Sequence, residues 1–208
     1  MTWVIVDWDC KTHLPALQAV MDLYAPEFVL EMGIGIHSTP VLLEYPVKYI
    51  GIENDMEWVD LMNSKVEAEI IFHPLDSSIN AGTPLSSLTK EQTDKISNYY
   101  KSLKIPAIRP NLLFVDQWTC NRVLSINALR GKFDIIIYHD CEPAGIIEYS
   151  YDRINSRGFN TYILKSAKSW TGIMIRQKID KGFNLLKDAI SPHIIIFMNK
   201  YPESNMTL

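Results

Sequence analysis

Gly33-Ile34-Gly35 is preceded two residues earlier by Glu31 and followed, twenty positions after Gly33, by Glu53. A G-x-G step lets the backbone turn tightly and approach a ligand with no Cβ in the way. An acid at the end of the next strand can accept the hydroxyls of a ribose. A dinucleotide site of the G-x-G-x-x-G kind seats a pyrophosphate on a helix N-terminus and needs a third glycine for close helix–strand packing. Here that position is Ser38. Glu31 would also set a carboxylate near the pyrophosphate, which is unfavourable beside a dianion and favourable beside a cation. S-adenosylmethionine is a nucleoside cofactor that carries an ammonium and a sulfonium in place of phosphates, and it suits this pattern better. An NAD-dependent oxidoreductase stays as an alternative, permitted by Glu53 and disfavoured by Ser38.

A second group lies at His139-Asp140, directly after the apolar run that ends in Ile135-Ile136-Ile137-Tyr138. A histidine titrates in the right range to act as a general base. If the strand stays extended to its end, His139 and Asp140 point to opposite faces and only one reaches a given substrate. Either is a candidate base. Asp140 and Glu142 could start a divalent-cation site, but hard cations need several oxygen ligands. Thr161–Lys165 leads into Ser166-Ala167-Lys168 with no further acid, so no metal is expected. Asp7-Trp8-Asp9 has the D-x-D form of a sugar-nucleotide transferase but lacks a nucleotide-binding unit before it. His13, His37, His73 and His193 show no ligand spacing and read as capping or surface histidines. Trp118, Tyr149, Tyr151 and Trp170 serve equally well as core or as pocket lining.

These residues gather at strand ends only if the chain alternates strand and helix. Leu14, Leu17, Met21 and Tyr24 recur at helical spacing in 12–24, with Thr12 as a possible cap and Pro15 in the first turn. Phe28-Val29-Leu30 is a buried strand running into the glycine turn, and Thr39-Pro40 has the form of an N-cap with proline at N1. Strands follow at 49–52 and 69–72, with a short helix at 56–63 between them. Residues 77–110 are rich in Ser, Thr, Lys and Pro and read as an insertion with one helix, opened by the capping box Thr89-x-x-Gln92. The remaining expectations are strands at 112–115, 133–138 and 160–164, two late β-branched runs at 172–175 and 194–197, and helices at 121–129 and 145–155. The order implies a Rossmann-like, doubly wound, mostly parallel α/β sheet of seven strands in one domain spanning 1–208. In such a sheet ligands sit beyond the carboxyl ends of the strands, where Glu31, Glu53, Asp76, Asp116 and His139 fall.

At these residues the sequence resembles the class I S-adenosylmethionine-dependent methyltransferases of small-molecule type. Val29-Leu30-Glu31-Met32-Gly33-Ile34-Gly35 is similar to the family's first motif, the loop around the methionine moiety. Ile52-Glu53-Asn54-Asp55 is similar to its ribose-binding strand end, and Asp134 through Asp140 to its fourth motif on the active-site face. The stretch from His13-Leu14-Pro15 to Glu53 is closest to bacterial and viral members that place a helix before the glycine strand. The resemblance covers 12–76 well and 130–165 loosely. It implies cofactor contacts from Glu31, Gly33, Gly35, Glu53 and Asn54. An adenine-contacting acid would be Asp76 or, after the insertion, Asp116. His37 stands where the first motif commonly has another glycine. No N-P-P-Y type motif for amino-methylation of bases is present, so the implied acceptor is a small molecule, expectedly a hydroxyl, with 77–110 choosing it. A non-catalytic protein keeping the fold as a scaffold is the other alternative.

Composition agrees with this and narrows the partners. The 208 residues are 47% hydrophobic and 21% charged, which is the pattern of an ordinary globular domain. A net charge of −4 argues against a broad electrostatic grip on nucleic acid or anionic lipid. Cys10, Cys120 and Cys141 are widely spaced with no C-x-x-C, as expected of idle thiols in a reducing compartment. No apolar run reaches the ~20 residues of a membrane span. A cytoplasmic protein is the expectation, and self-association into a homo-oligomer stays open.

Overall fold

The computed structural model describes residues 12–165 and 169–190 and the backbone of 196–198. Among these residues, eight strands form one sheet: β1 (Phe28–Met32), β2 (Lys48–Glu53), β3 (Ile70–Phe72), β4 (Asn111–Val115), β5 (Ile135–His139), β6 (Phe159–Lys165), β7 (Trp170–Arg176) and β8 (Ile196–Met198). Their spatial order is β3-β2-β1-β4-β5-β7-β6-β8. The pairs from β3 to β5 are parallel, and β7 runs antiparallel to both β5 and β6. The expected seven strands are thus present, and the short β8 extends the edge beside β6. Asp7, Asp9, Cys10 and His193 lie outside the described residues.

Among the described residues, seven α-helices cover the sheet: α1 (Leu14–Tyr24), α2 (Ser38–Leu43), α3 (Met56–Asn63), α4 (Lys90–Ser102), α5 (Thr119–Leu129), α6 (Pro143–Glu148) and α7 (Phe183–Ile190). Strict alternation along the central strands sorts their side chains into two cores. Phe28, Leu30, Met32, Leu113, Val115, Ile136 and Tyr138 pack with Ile96 and Tyr100 of α4 and Ile126 and Leu129 of α5. Val29, Leu112, Phe114, Ile135 and Ile137 pack on the other face with Leu17, Val20 and Met21 of α1 and Leu186 and Ile190 of α7. Within the stretch 77–110, α4 makes the crossover from β3 to β4. Its capping box is formed, with the Thr89 side chain accepting from the Gln92 amide and the Gln92 side chain accepting from the Thr89 amide.

Several local expectations shift. Thr12 does not cap α1, whose N-cap is His13 with no side-chain bond; the Thr12 hydroxyl bonds His139 instead. Likewise α2 begins at Ser38, so Thr39 and Pro40 fall inside its first turn. The helix expected over 145–155 closes at Glu148, because Ser150 turns left-handed at φ 56° and a 3-10 turn, Tyr151–Arg153, follows. α7 goes beyond the sequence expectation; Leu186 and Ile190, one turn apart, commit its inner face. Among the described residues, no helix is long and apolar enough to cross a membrane.

The contact of β5 with β7 depends on a missing side chain. Gly172 lies opposite Tyr138, and a Cβ there would overlap the Tyr138 ring, with the hydroxyl 2.5 Å away. Gly172→Ala should therefore lower stability by about 1–3 kcal/mol through overpacking. Urea unfolding checks this, and an unchanged midpoint would show that the ring moves aside freely.

Candidate active site

The glycine loop sits where the strand order reverses, between β1 and β4. Gly33 has φ +84°, a conformation that L side chains rarely adopt. Its amide donates to Ile52 O (2.8 Å), while the Asp116 amide donates to Met32 O (2.8 Å). A Cβ on Gly33 would come within 2.6 Å of Gln117 Cα. The loop after β1 and the exit of β4 are thus in backbone contact. On the far side, the Gly35 amide donates to Thr39 Oγ1 (3.1 Å) and Trp58 Nε1 donates to Ile34 O (2.5 Å).

Glu31 follows the alternation of β1 onto the α2 side and is fully buried. Ser38, Thr39 and Tyr49 all donate their hydroxyls to its carboxylate. Burial pushes its pKa up to about 7 against the opposing pull of these donors. Its contacts hold the start of α2 to β1 and β2. Ser38, the residue that takes the place of a third glycine, is one of its donors.

Glu53 ends β2 and accepts backbone amides from Ile34 (3.2 Å), Asn54 (2.6 Å) and Asp55 (3.1 Å). Burial raises its pKa, and the three amides offset part of that. Asn54 ties three elements together: its Nδ2 donates to His73 O (2.8 Å) after β3, and its Oδ1 accepts from Asn121 of α5 (2.9 Å). Asp76 stands apart from this group. It is exposed and accepts from the amide (3.0 Å) and hydroxyl (2.7 Å) of Ser78. Its partner Ser78 lines a cleft of about 440 Å³ together with Asn80, Thr83, Ser87 and Gln92 among others.

The densest polar group lies at the ends of β4 and β5. Asp116 continues the parity of Leu112 and Phe114, and His139 that of Ile135 and Ile137. Both side chains therefore emerge on the α1 face, where Thr12 and His13 meet them. Thr12 Oγ1 is 2.6 Å from His139 Nε2. His139 Nδ1 lies 3.5 Å from Asp116 Oδ2 and 3.2 Å from Asp140 Oδ1. The sequence expectation that His139 and Asp140 diverge does not hold. Asp140 turns left-handed at φ 58°, which folds its carboxylate back beside the imidazole.

Arg122 binds this group into one unit. Its guanidinium is 3.0 Å from both Asp116 and Asp140. It also donates to Gln117 O (2.6 Å) and His139 O (3.0 Å), and lies 4.1 Å from the centre of the Tyr149 ring. Ser169 donates to the other oxygen of Asp140 (2.7 Å). Burial disfavours ionisation of Asp116, but Arg122 and then His139 outweigh it and hold the carboxyl well below its ordinary range. For His139 burial acts downward, and Asp116 and Asp140 together reverse it, so its pKa is raised. Both carboxylates keep about a quarter of their side-chain surface in solvent, whereas His139 is nearly covered.

Other candidates have structural partners. Glu142 accepts from Ser169 and from the Trp170 amide (3.1 Å). Tyr151 is buried and donates to His139 O (2.7 Å). Cys120 and Cys141 are buried thiols outside any disulfide. His73 stacks on Tyr99, with ring centres 3.4 Å apart. His13 is neither capping by its side chain nor at the surface: it is 4% exposed, between Phe114 and His139. Sequence reasoning also passed over Arg122. Its signal was position, because 122, 126 and 129 share one helical stripe and an arginine on an apolar stripe needs buried acids.

No family model and no curated protein sequence matches the chain. Solved structures do. A methyltransferase-like protein from Silicibacter pomeroyi is 15% identical with a TM-score of 0.53, over 91% of this chain and 98% of that one. The N-methyltransferase NodS from Bradyrhizobium japonicum is 10% identical with a TM-score of 0.51, over 80% and 94% of the two chains. At these identities the likeness is one of fold. The chain has the Rossmann-like methyltransferase fold anticipated from its glycine loop and strand order.

Removing one partner from a buried charge group leaves the others uncompensated. Arg122→Met keeps similar bulk and should cost stability toward the low end of about 3–5 kcal/mol, since Asp116 and Asp140 are partly solvated. Chemical denaturation checks this; a loss under about 1 kcal/mol would show that the carboxylates do not depend on the guanidinium.

Proposed function

We propose that the protein, with its methyltransferase fold, binds S-adenosylmethionine and transfers the methyl group to a hydroxyl of a small molecule. One observation carries this reading: the carboxylate of Glu53 and the backbone of Asp116 meet the glycine loop at the switch point from either side, and Asp140 joins Asp116 through Arg122. Arg122 is the cation that pairs with the two aspartates. Such a cluster of acids attracts an ammonium or sulfonium and opposes a diphosphate. It opposes a nucleic-acid backbone for the same reason. When bound, the cofactor supplies an already activated methyl, leaving alignment and proton removal to the protein.

In this reading Gly33 and Gly35 let the backbone approach the methionine end, with Asp116 facing the ammonium. Glu31 acts as a positioning residue through α2. Glu53 offers the ribose what its backbone contacts leave. A carboxylate has about four lone-pair sites and three are engaged, so about one remains, on Oε2. Asn54 keeps the ends of β2 and β3 at fixed spacing below the adenosine. Asp76, bonded to Ser78 of the cleft before α4, is on the side where adenine would extend. The polar cleft wall at 78–92 then belongs to the specificity element of 77–110.

The acceptor hydroxyl meets the partly exposed carboxylates first. Asp140, pinned by Arg122 and Ser169, orients the hydroxyl, and the proton passes to His139. His139 is the better final holder because its pKa is raised while that of Asp116 is lowered. His139→Gln should therefore lower turnover by about 10²–10⁴-fold. In the wild type, turnover should fall as pH drops through a value above the ordinary ~6.5 of histidine.

Titration calorimetry with S-adenosylhomocysteine, with NADH as control ligand, tests the cofactor assignment. The reading predicts binding of the former alone, weakened at least about tenfold (about 1.4 kcal/mol) in Glu53→Ala. Binding of NADH alone would overturn it in favour of an oxidoreductase. Binding of neither would favour a scaffold that keeps only the fold.

A further inference from the structure

His13 and His139 meet edge to face, with ring centres 4.7 Å apart. His13 is buried, yet neither of its ring nitrogens has a hydrogen-bond partner. A buried imidazole with both nitrogens unsatisfied is costly and calls for a ligand at that place. One donor atom from each of His13, Asp116 and His139 lies within 4.8 Å of the others. We infer that these three residues form a binding site for a divalent transition-metal ion at the rim of the cofactor crevice. This goes beyond the methyl-transfer reading and stands without it.

The donor chemistry selects the ion class. Two imidazoles and one carboxylate suit Zn²⁺, Co²⁺, Ni²⁺ or Fe²⁺, whereas Mg²⁺ and Ca²⁺ prefer oxygen ligands throughout. Around an ion with bonds near 2.0–2.1 Å, tetrahedral donors stand roughly 3.4 Å apart. His139 Nδ1 and Asp116 Oδ2 are already 3.5 Å apart. Coordination replaces the 3.2 Å contact of His139 Nδ1 with Asp140 Oδ1, and the further adjustment falls on His13, whose ring nitrogens have no hydrogen bond to break.

The surroundings supply the outer support that such a site needs. With Nδ1 on the ion, His139 Nε2–H donates to Thr12 Oγ1, which fixes the tautomer. Arg122 holds the other oxygen of Asp116 at 3.0 Å and leaves Oδ2 free to coordinate. Binding displaces a proton from a protonated His139, and no electron transfer is involved. Three protein ligands leave a fourth position open to water or to an acceptor oxygen. In the loaded protein His139 is a ligand and Asp140 remains as the proton acceptor.

Calorimetric titration of chelator-stripped full-length protein with ZnCl₂ tests the site, alongside the absorption spectrum of the Co²⁺-loaded form. The expected result is one ion per chain, with the intense visible bands of four-coordinate Co²⁺. Affinity should fall by more than about 100-fold in His13→Ala, beyond the 10–100-fold typical of lost outer-shell partners. His13→Cys should restore binding and add a sulfur-to-cobalt charge-transfer band, while His73→Ala should leave binding unchanged. Circular dichroism confirms that each variant is folded. The inference is overturned if wild-type protein binds no Zn²⁺ or if folded His13→Ala binds as tightly as wild type. S-adenosylhomocysteine binding, measured separately, reports on the cofactor reading and not on this one.

Discussion

The guanidinium of Arg122 lies between two carboxylates that reach it from different strands, Asp116 after β4 and Asp140 after β5, at 3.0 Å each. It also takes the carbonyls of Gln117 and His139, so one cation fixes both the charges and the backbone at two strand ends. Parallel strands leave their carboxyl ends without neighbours to continue the ladder, and the loops there need another source of order. Here that source is electrostatic, and it is strong because Arg122 is drawn from the buried face of α5. Without it, the two acids would have only the imidazole between them as a counter-charge. With it, Asp116 stays ionised, and the two carboxylates bias the imidazole toward its charged form against the smaller opposing effect of the guanidinium.

This arrangement explains how a buried polar group coexists with a close-packed sheet. The alternation of β4 and β5 delivers Asp116 and His139 to the face that α1 covers, and the start of α1 brings Thr12 and His13 against them. On the opposite face Val115 and Tyr138 join the apolar core beneath α4 and α5. At the other end of the crevice, Glu31 and Glu53 are anchored by hydroxyls and amides. The glycine loop is thus held from both sides, by Thr39 and Trp58 on one and by the Asp116 backbone on the other. A rigid loop flanked by acids fits a cationic ligand better than a phosphate.

Much of the architecture was legible in the chain because local rules agree with one another there. Apolar runs ending in acids, the Gly33-x-Gly35 turn and the Thr89/Gln92 capping box each specify an element with little help from distant contacts. Where tertiary contacts win, the sequence misleads. Thr12 and Thr39 look like caps, but their hydroxyls are drawn to His139 and Glu31. Asp140 looks extended, yet it turns left-handed where Arg122 and Ser169 hold its carboxylate. His13 reads as a surface residue because nothing adjacent to it reveals that Phe114 and His139, more than a hundred residues away, will enclose it. Arg122 carried a signal in its helical phase, although identifying its partners needed the strand order. Asp76 and Asp116 both follow strands, and only the fold shows that one is exposed beside Ser78 while the other is built into the charged cluster.

The central claim is that the glycine loop and the acids Glu53, Asp116 and Asp140 form one cofactor crevice. A crystal structure of the complex with S-adenosylhomocysteine tests it most directly. The account predicts the ribose against Glu53, the amino-acid end between Gly33 and Asp116, and the sulfur facing the His139–Asp140 side. A ligand seated instead in the cleft of residues 78–92, away from Gly33 and Asp116, would contradict it.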